Sequence, residues 1–132
     1  MPITYEIDLI RKTVFAAAAG VLTAQELFSY QKQVWLQPEF RGFHECIDMS
    51  GVTEIIDATD RNMQALAEVA VQADDPAQPT RLAIIAKEDL HFGLGRMYES
   101  YRGMHPKNAR QVSVFRTRED ALHWLTHKEA AP

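Results

Sequence analysis

In the opening ITYEIDL, Ile3, Tyr5, Ile7 and Leu9 fall on one side and Thr4, Glu6 and Asp8 on the other. That period of two predicts a half-buried strand at a sheet edge. Polar IRKT then leads into TVFAAAAG, a second strand whose small side chains suit close packing beneath a helix. The short connection implies an antiparallel hairpin. Thr23 and Glu26 have the spacing of a capping box, which opens a helix through TAQELFSYQKQVWLQ that stops before Pro38. Its buried stripe is expected to be Leu27, Tyr30, Val34 and Trp35. FHECIDM reads as a third strand, and a second helix carries Met63, Leu66, Ala67 and Ala70 at helical spacing before the loop DDPAQP.

RLAIIA is continuously apolar, as expected of a strand covered on both faces. The third helix, DLHFGLGRMYESYR, places Leu90, Leu94, Met97 and Tyr101 on one side. QVSVF is a last strand, and Thr117-Arg118-Glu119-Asp120 begins a final helix with Asp where a capping box usually has Glu; Ala121, Leu122 and Leu125 form its apolar side. The order ββαβαβαβα predicts an α/β fold with one mixed, mostly parallel five-stranded sheet and one antiparallel edge strand, because single-helix crossovers are right-handed and return beside the strand they left. One domain is expected over residues 1–127, with 128–132 a frayed tail.

Composition narrows the class. At 132 residues, 46% apolar and 24% charged, the chain can build its own core without disulfides or metals. A net charge of -4, with the basic residues scattered apart from the Arg102–Arg110 stretch, argues against a nucleic-acid-binding face. A single cysteine, Cys46, excludes a disulfide framework and a multi-thiolate zinc site. No apolar run approaches the roughly 20 residues of a membrane span, and the N-terminus lacks a signal pattern, so a cytoplasmic protein is expected.

In an open α/β sheet, ligands and partners meet the carboxyl ends of the strands. The most informative such place is Asp57-Ala58-Thr59-Asp60. With Asp57 as N-cap, Thr59 lies in the first helical turn beside unpaired backbone N–H groups, where a phosphate would be favoured by the helix dipole. The same three polar residues also serve as ordinary capping residues. Gly93-Leu94-Gly95 is not a dinucleotide fingerprint, since Tyr98 stands where a third glycine is needed, and the glycines are expected to allow close packing instead. His123 and His127 lie four apart without a third ligand nearby, so neither a metal nor any other cofactor is expected. His44 and Cys46 share one side of their strand, and Cys46 is expected to be buried and inert. Arg96, Arg102, Lys107 and Arg110 are expected to form a solvated basic stretch.

CIDMSGVTEIIDAT resembles the central motif of STAS domains, the family of the bacterial anti-sigma-factor antagonist SpoIIAA. GVLTAQEL, FGLGRMYESY and VSVFRTREDALHWL are similar to the uncharacterised bacterial SpoIIAA-like proteins, which are related in fold to CRAL-TRIO-type lipid-transfer domains. The resemblance covers essentially the full chain. It implies a non-enzymatic regulatory module in which Asp57 matches the motif Asp and Thr59 the phosphoacceptor of a partner kinase, whose added charge breaks binding. Asp60 replaces the usual Gly. A phosphate would then stand between two carboxylates, and the alternative is a corner fixed in a permanently acidic state.

Two functions follow as expectations. The first is a protein-interaction module whose partner, a kinase or anti-sigma-type regulator, meets Asp48, Ser50, Asp57, Thr59 and Asp60. The second is a carrier of a small apolar or lipid-like ligand beneath the third helix, among Leu90, Phe92, Leu94, Met97 and Tyr98. A homodimer through an edge strand or an exposed helix is the expected assembly, and no enzyme chemistry is expected because no acid–base or nucleophilic constellation converges.

Overall fold

The computed structural model describes residues 2–127, so the expected tail at 128–132 lies outside the described residues. Strands β1 (Ile3–Asp8), β2 (Thr13–Thr23), β3 (His44–Ile56), β4 (Thr80–Ile85) and β5 (Arg110–Phe115) form one sheet in sequential order. β1 runs antiparallel to β2 and every other neighbouring pair is parallel, the mixed sheet with one antiparallel edge strand that the alternation predicts. Because the order is sequential, each right-handed crossover carries its helix to the same face. α1 (Ala24–Tyr30), α2 (Asp60–Ala70) and α3 (Asp89–Met104) lie there, over a core that includes Val14, Ala16, Ile47, Leu82 and Ile84. α4 (Arg118–Thr126) packs on β3, β4 and β5 from the opposite side, over Cys46, Ala83 and Ile85. β4 is thus covered on both faces, as its uninterrupted apolar run requires.

Four expectations need correction. β3 does not end at Met49 but continues to Ile56. Its pairing with β4 stops at Asp48 with Ile85, whereas its pairing with β2 runs on to Thr23 with Ile56 through two register shifts. The last halves of β2 and β3 therefore form a two-stranded parallel ribbon beyond the main sheet. Polar Ser50, Thr53 and Glu54 gave this stretch the look of a loop, but a ribbon outside the sheet leaves them exposed without cost.

The first helix is α-helical only to Tyr30, then widens into a π-turn over Gln31–Trp35. The wider turn buries Gln31, Val34 and Trp35 together, so a polar side chain joins the expected apolar stripe. In α3 the buried positions are His91, Gly95, Tyr98 and Arg102, one residue out of phase with the expected Leu90–Leu94–Met97–Tyr101 side. Gly95 sets that phase: a Cβ there would lie 3.1 Å from a Val114 methyl, so the helix backbone rests directly on β5. Finally, β1 buries only Ile3, while Tyr5 and Ile7 are 47% and 43% exposed at the sheet edge, where Tyr5 meets α1 through the Tyr30 ring 6.5 Å away.

Candidate functional site

The β3–α2 corner. Asp57 adopts a left-handed conformation, φ 63°, which turns the chain out of the ribbon. Thr59, not Asp57, is the N-cap: its hydroxyl oxygen accepts from the Asn62 N–H at 3.1 Å, and the Asn62 side-chain amide donates back to the Asp57 carbonyl at 2.7 Å. The two-residue shift follows from the backbone, since a cap needs the extended conformation that Thr59 has (φ −76°, ψ 164°) and Asp57 lacks. Asp57, Thr59 and Asp60 are all exposed. The Asp60 carboxylate is held by the Tyr101 hydroxyl of α3, a hydrogen bond that ties the start of α2 to α3 and raises the tyrosine pKa.

Asp48 and Ser50 stand apart from this corner. The Asp48 carboxylate accepts from the Ser50 N–H at 2.9 Å, and Asp48 shares the α4 face of the sheet with Cys46. The paired β2 span from Ala17 to Thr23 that separates them from Asp57 runs roughly 20 Å. Of the five expected partner-facing residues, the fold brings together three.

Directly behind the corner is an apolar cavity of about 80 Å³, enclosed by α1, α2, α3 and the sheet. Its floor is Ile47, Leu82 and Ile84, and its polar lining is Tyr30, Gln31, Glu45 and His91. Leu27, Ile55, Ala58 and Leu94 also line it and are half-buried, so its mouth is where these four meet. Of the expected apolar ligand site, Leu94 and Tyr98 line the cavity and Met97 packs on the core beside it. Leu90 is 70% exposed and Phe92 instead lies under the Arg116 guanidinium, 4.1 Å away.

Below the cavity lies a buried charge network that sequence reading placed on the surface. Arg110 pairs with Glu45 at 3.3 Å, donates to the Phe43 carbonyl and the Thr80 hydroxyl at 2.9 and 2.6 Å, and stacks 4.4 Å over Trp35. Glu45 also accepts from the Tyr30 hydroxyl at 2.7 Å. Burial, and then the Glu45 charge, push the Tyr30 pKa well above its ordinary value. Arg102 pairs with Asp74 at 2.7 Å and donates to Tyr98 and Asn108. Only Arg96 and Lys107 of the expected basic stretch are exposed, and Arg96 pairs with Glu99. The missed signal was strand parity: Glu45 shares its side with Phe43 and Ile47, and a carboxylate inside a core requires a cation beside it.

The remaining candidates have structural roles. Cys46 is buried, and burial pushes its thiol up to about 11. The His44 ring accepts from the Arg81 N–H at 3.0 Å, and the His123 and His127 rings stack 3.9 Å apart. No helix among the described residues is long and apolar enough to cross a membrane.

No protein-family model matches this chain, and no curated protein matches it. Among solved structures it is similar to an uncharacterized protein of the DUF3478 family with a SpoIIAA-like fold from Shewanella loihica, with 16% identity over 93% of each chain and a TM-score of 0.59. It is also similar to an anti-sigma factor antagonist from Mycobacterium paratuberculosis, with 14% identity over 95% of each chain and a TM-score of 0.54. The chain has the SpoIIAA-like fold.

Proposed function

We propose that the chain is a single-domain, cytoplasmic, non-enzymatic regulatory module that binds another protein, a kinase or anti-sigma-type regulator, through the β3–α2 corner. The observation that carries this reading is the exposed Thr59 hydroxyl, which caps α2 between the exposed carboxylates of Asp57 and Asp60. A kinase that reaches it finds a turned-out hydroxyl at a helix amino end, where an added phosphate meets the dipole and the free N–H groups. The neighbouring carboxylates oppose that phosphate, so the modified corner presents concentrated negative charge and releases a partner that accepts the unmodified one. Asp48 and Ser50 extend the surface along β3. The similarity in fold to an anti-sigma factor antagonist supports a protein partner.

The capping role dictates the variants that test this. Thr59→Ala removes hydroxyl and cap together and should cost about 1 kcal/mol of stability in denaturant titration. Thr59→Asp keeps a good N-cap while adding charge, so it should fold as well as wild type yet lose the partner in a quantitative pull-down. Equal recovery of the same partner by wild type, Thr59→Asp and Asp57→Ala would remove the corner from the account.

The cavity favours a second reading, a binder of a small apolar ligand. Native mass spectrometry of protein purified from cells should then show a bound mass that disappears when the cavity is filled; a clean apo mass counts against it.

A further inference from the structure

The corner and the cavity share a wall. Ala58, between the turned-out Asp57 and the N-cap Thr59, lines the cavity; so do Ile55 at the end of β3 and Met63 in the first turns of α2. We infer that the cavity is an effector site for the corner: a small apolar molecule with one hydrogen-bonding group enters between α1 and α3 and resets how Thr59 is presented. This rests on the proposed reading of the corner as the partner surface.

Three observations support it. The chain reverses from strand to helix within Asp57–Thr59, and the Ala58 methyl between them packs against the core. An occupant would touch that residue and its neighbours before and after the reversal. The lining is apolar except at defined points, and His91, 5% exposed, makes no hydrogen bond among the described residues, its nearest charge being the Glu88 carboxylate at 4.0 Å. His91 is therefore the partner available to a hydroxyl or carbonyl of the ligand. The cavity is smaller than the engineered one of about 150 Å³ that accepts benzene, so the occupant is ring-sized or a short chain and extends through the mouth beside Ala58. Coupling of this kind is reciprocal: a ligand that alters partner affinity is itself held more or less tightly by the same factor when the partner is bound.

The test is an amide NMR titration of the full chain with phenol and with 1-hexanol. The expected result is saturable shifts at Ile55, His91 and Leu94 together with shifts at Thr59 and Asn62 that follow the same binding curve. Both sets should vanish in Leu94→Trp, which fills the mouth, and in Ile84→Phe, which fills the cavity from the sheet side, and persist in Gly93→Ala. With a captured partner, its affinity should change on the order of fivefold or more when the probe is added. Shifts confined to the cavity lining would overturn the coupling and leave the ligand reading standing. No shift with either probe would overturn both. Matching shifts at Thr59 together with a partner indifferent to Thr59→Asp would uphold the coupling and defeat the partner reading of the corner.

Discussion

Thr59 uses one oxygen for two purposes. It accepts the Asn62 N–H, which stabilises α2, and it is the exposed hydroxyl offered to a partner. Its neighbour Asp60 is equally committed, because Tyr101 donates to its carboxylate and thereby links α2 to α3. The hydrogen bond to Asp60, more than desolvation, holds the Tyr101 pKa above the ordinary tyrosine value of 10.0. A phenol whose folded pKa is raised contributes stability that is complete below the unfolded value and is lost as pH rises through the folded one. The Tyr101 ring should therefore ionise later than an exposed tyrosine in an NMR titration. In Asp60→Asn its pKa should fall back toward 10.0, and an unchanged titration would contradict the link. The sequence exposed the residues of this corner but not their roles. Asp-Ala-Thr-Asp fits two caps equally well by spacing, and only the left-handed turn at Asp57 decides for Thr59.

Elements were legible where periodicity acted alone. The five strands, the four helices and the antiparallel first hairpin all follow from alternation, capping residues and turn chemistry. What was not legible was where a local pattern gave way to tertiary contact. β3 runs past its apolar segment because β2 continues beside it, and α3 turns a polar–glycine stripe inward because Gly95 must touch β5. The two glycines of α3 separate these effects cleanly. Nothing lies within 4 Å of a Cβ at Gly93, so Gly93→Ala should stabilise by about 0.5–1 kcal/mol through helix propensity. At Gly95 the same methyl would meet Val114 at 3.1 Å, and Gly95→Ala should destabilise by about 1–3 kcal/mol. Thermal or denaturant melts of the two variants check the pair, and equal effects would mean that the helix does not rest on β5 as described.

Across the whole molecule, the helix-covered core is held by packing and pinned by charge. Glu45 and Arg110 come from strands separated by β4, and their pair joins β3, β5, the π-turn residue Trp35 and Tyr30 of α1. Removing one partner strands a buried charge, so Arg110→Met should cost about 3–5 kcal/mol, and Glu45→Gln in the same chain should recover part of that loss. Strictly additive losses in a denaturant-melt cycle would show that the two groups do not interact. The network also forms part of the cavity wall through Glu45 and Tyr30, so the fold keeps polar groups and open space together behind the β3–α2 corner. Composition and periodicity contain no sign of that arrangement, because it depends on four elements meeting.

The central claim is that this corner is where a partner docks. Hydrogen–deuterium exchange of the full chain, free and bound to the partner that Thr59→Asp fails to capture, reads the contact directly. The account predicts slowed exchange from Ile55 to Asn62, with the outer side of α4 around His123 unchanged. Protection confined to β1 or to α4, with Thr59 and Asn62 exchanging as in the free protein, would contradict it.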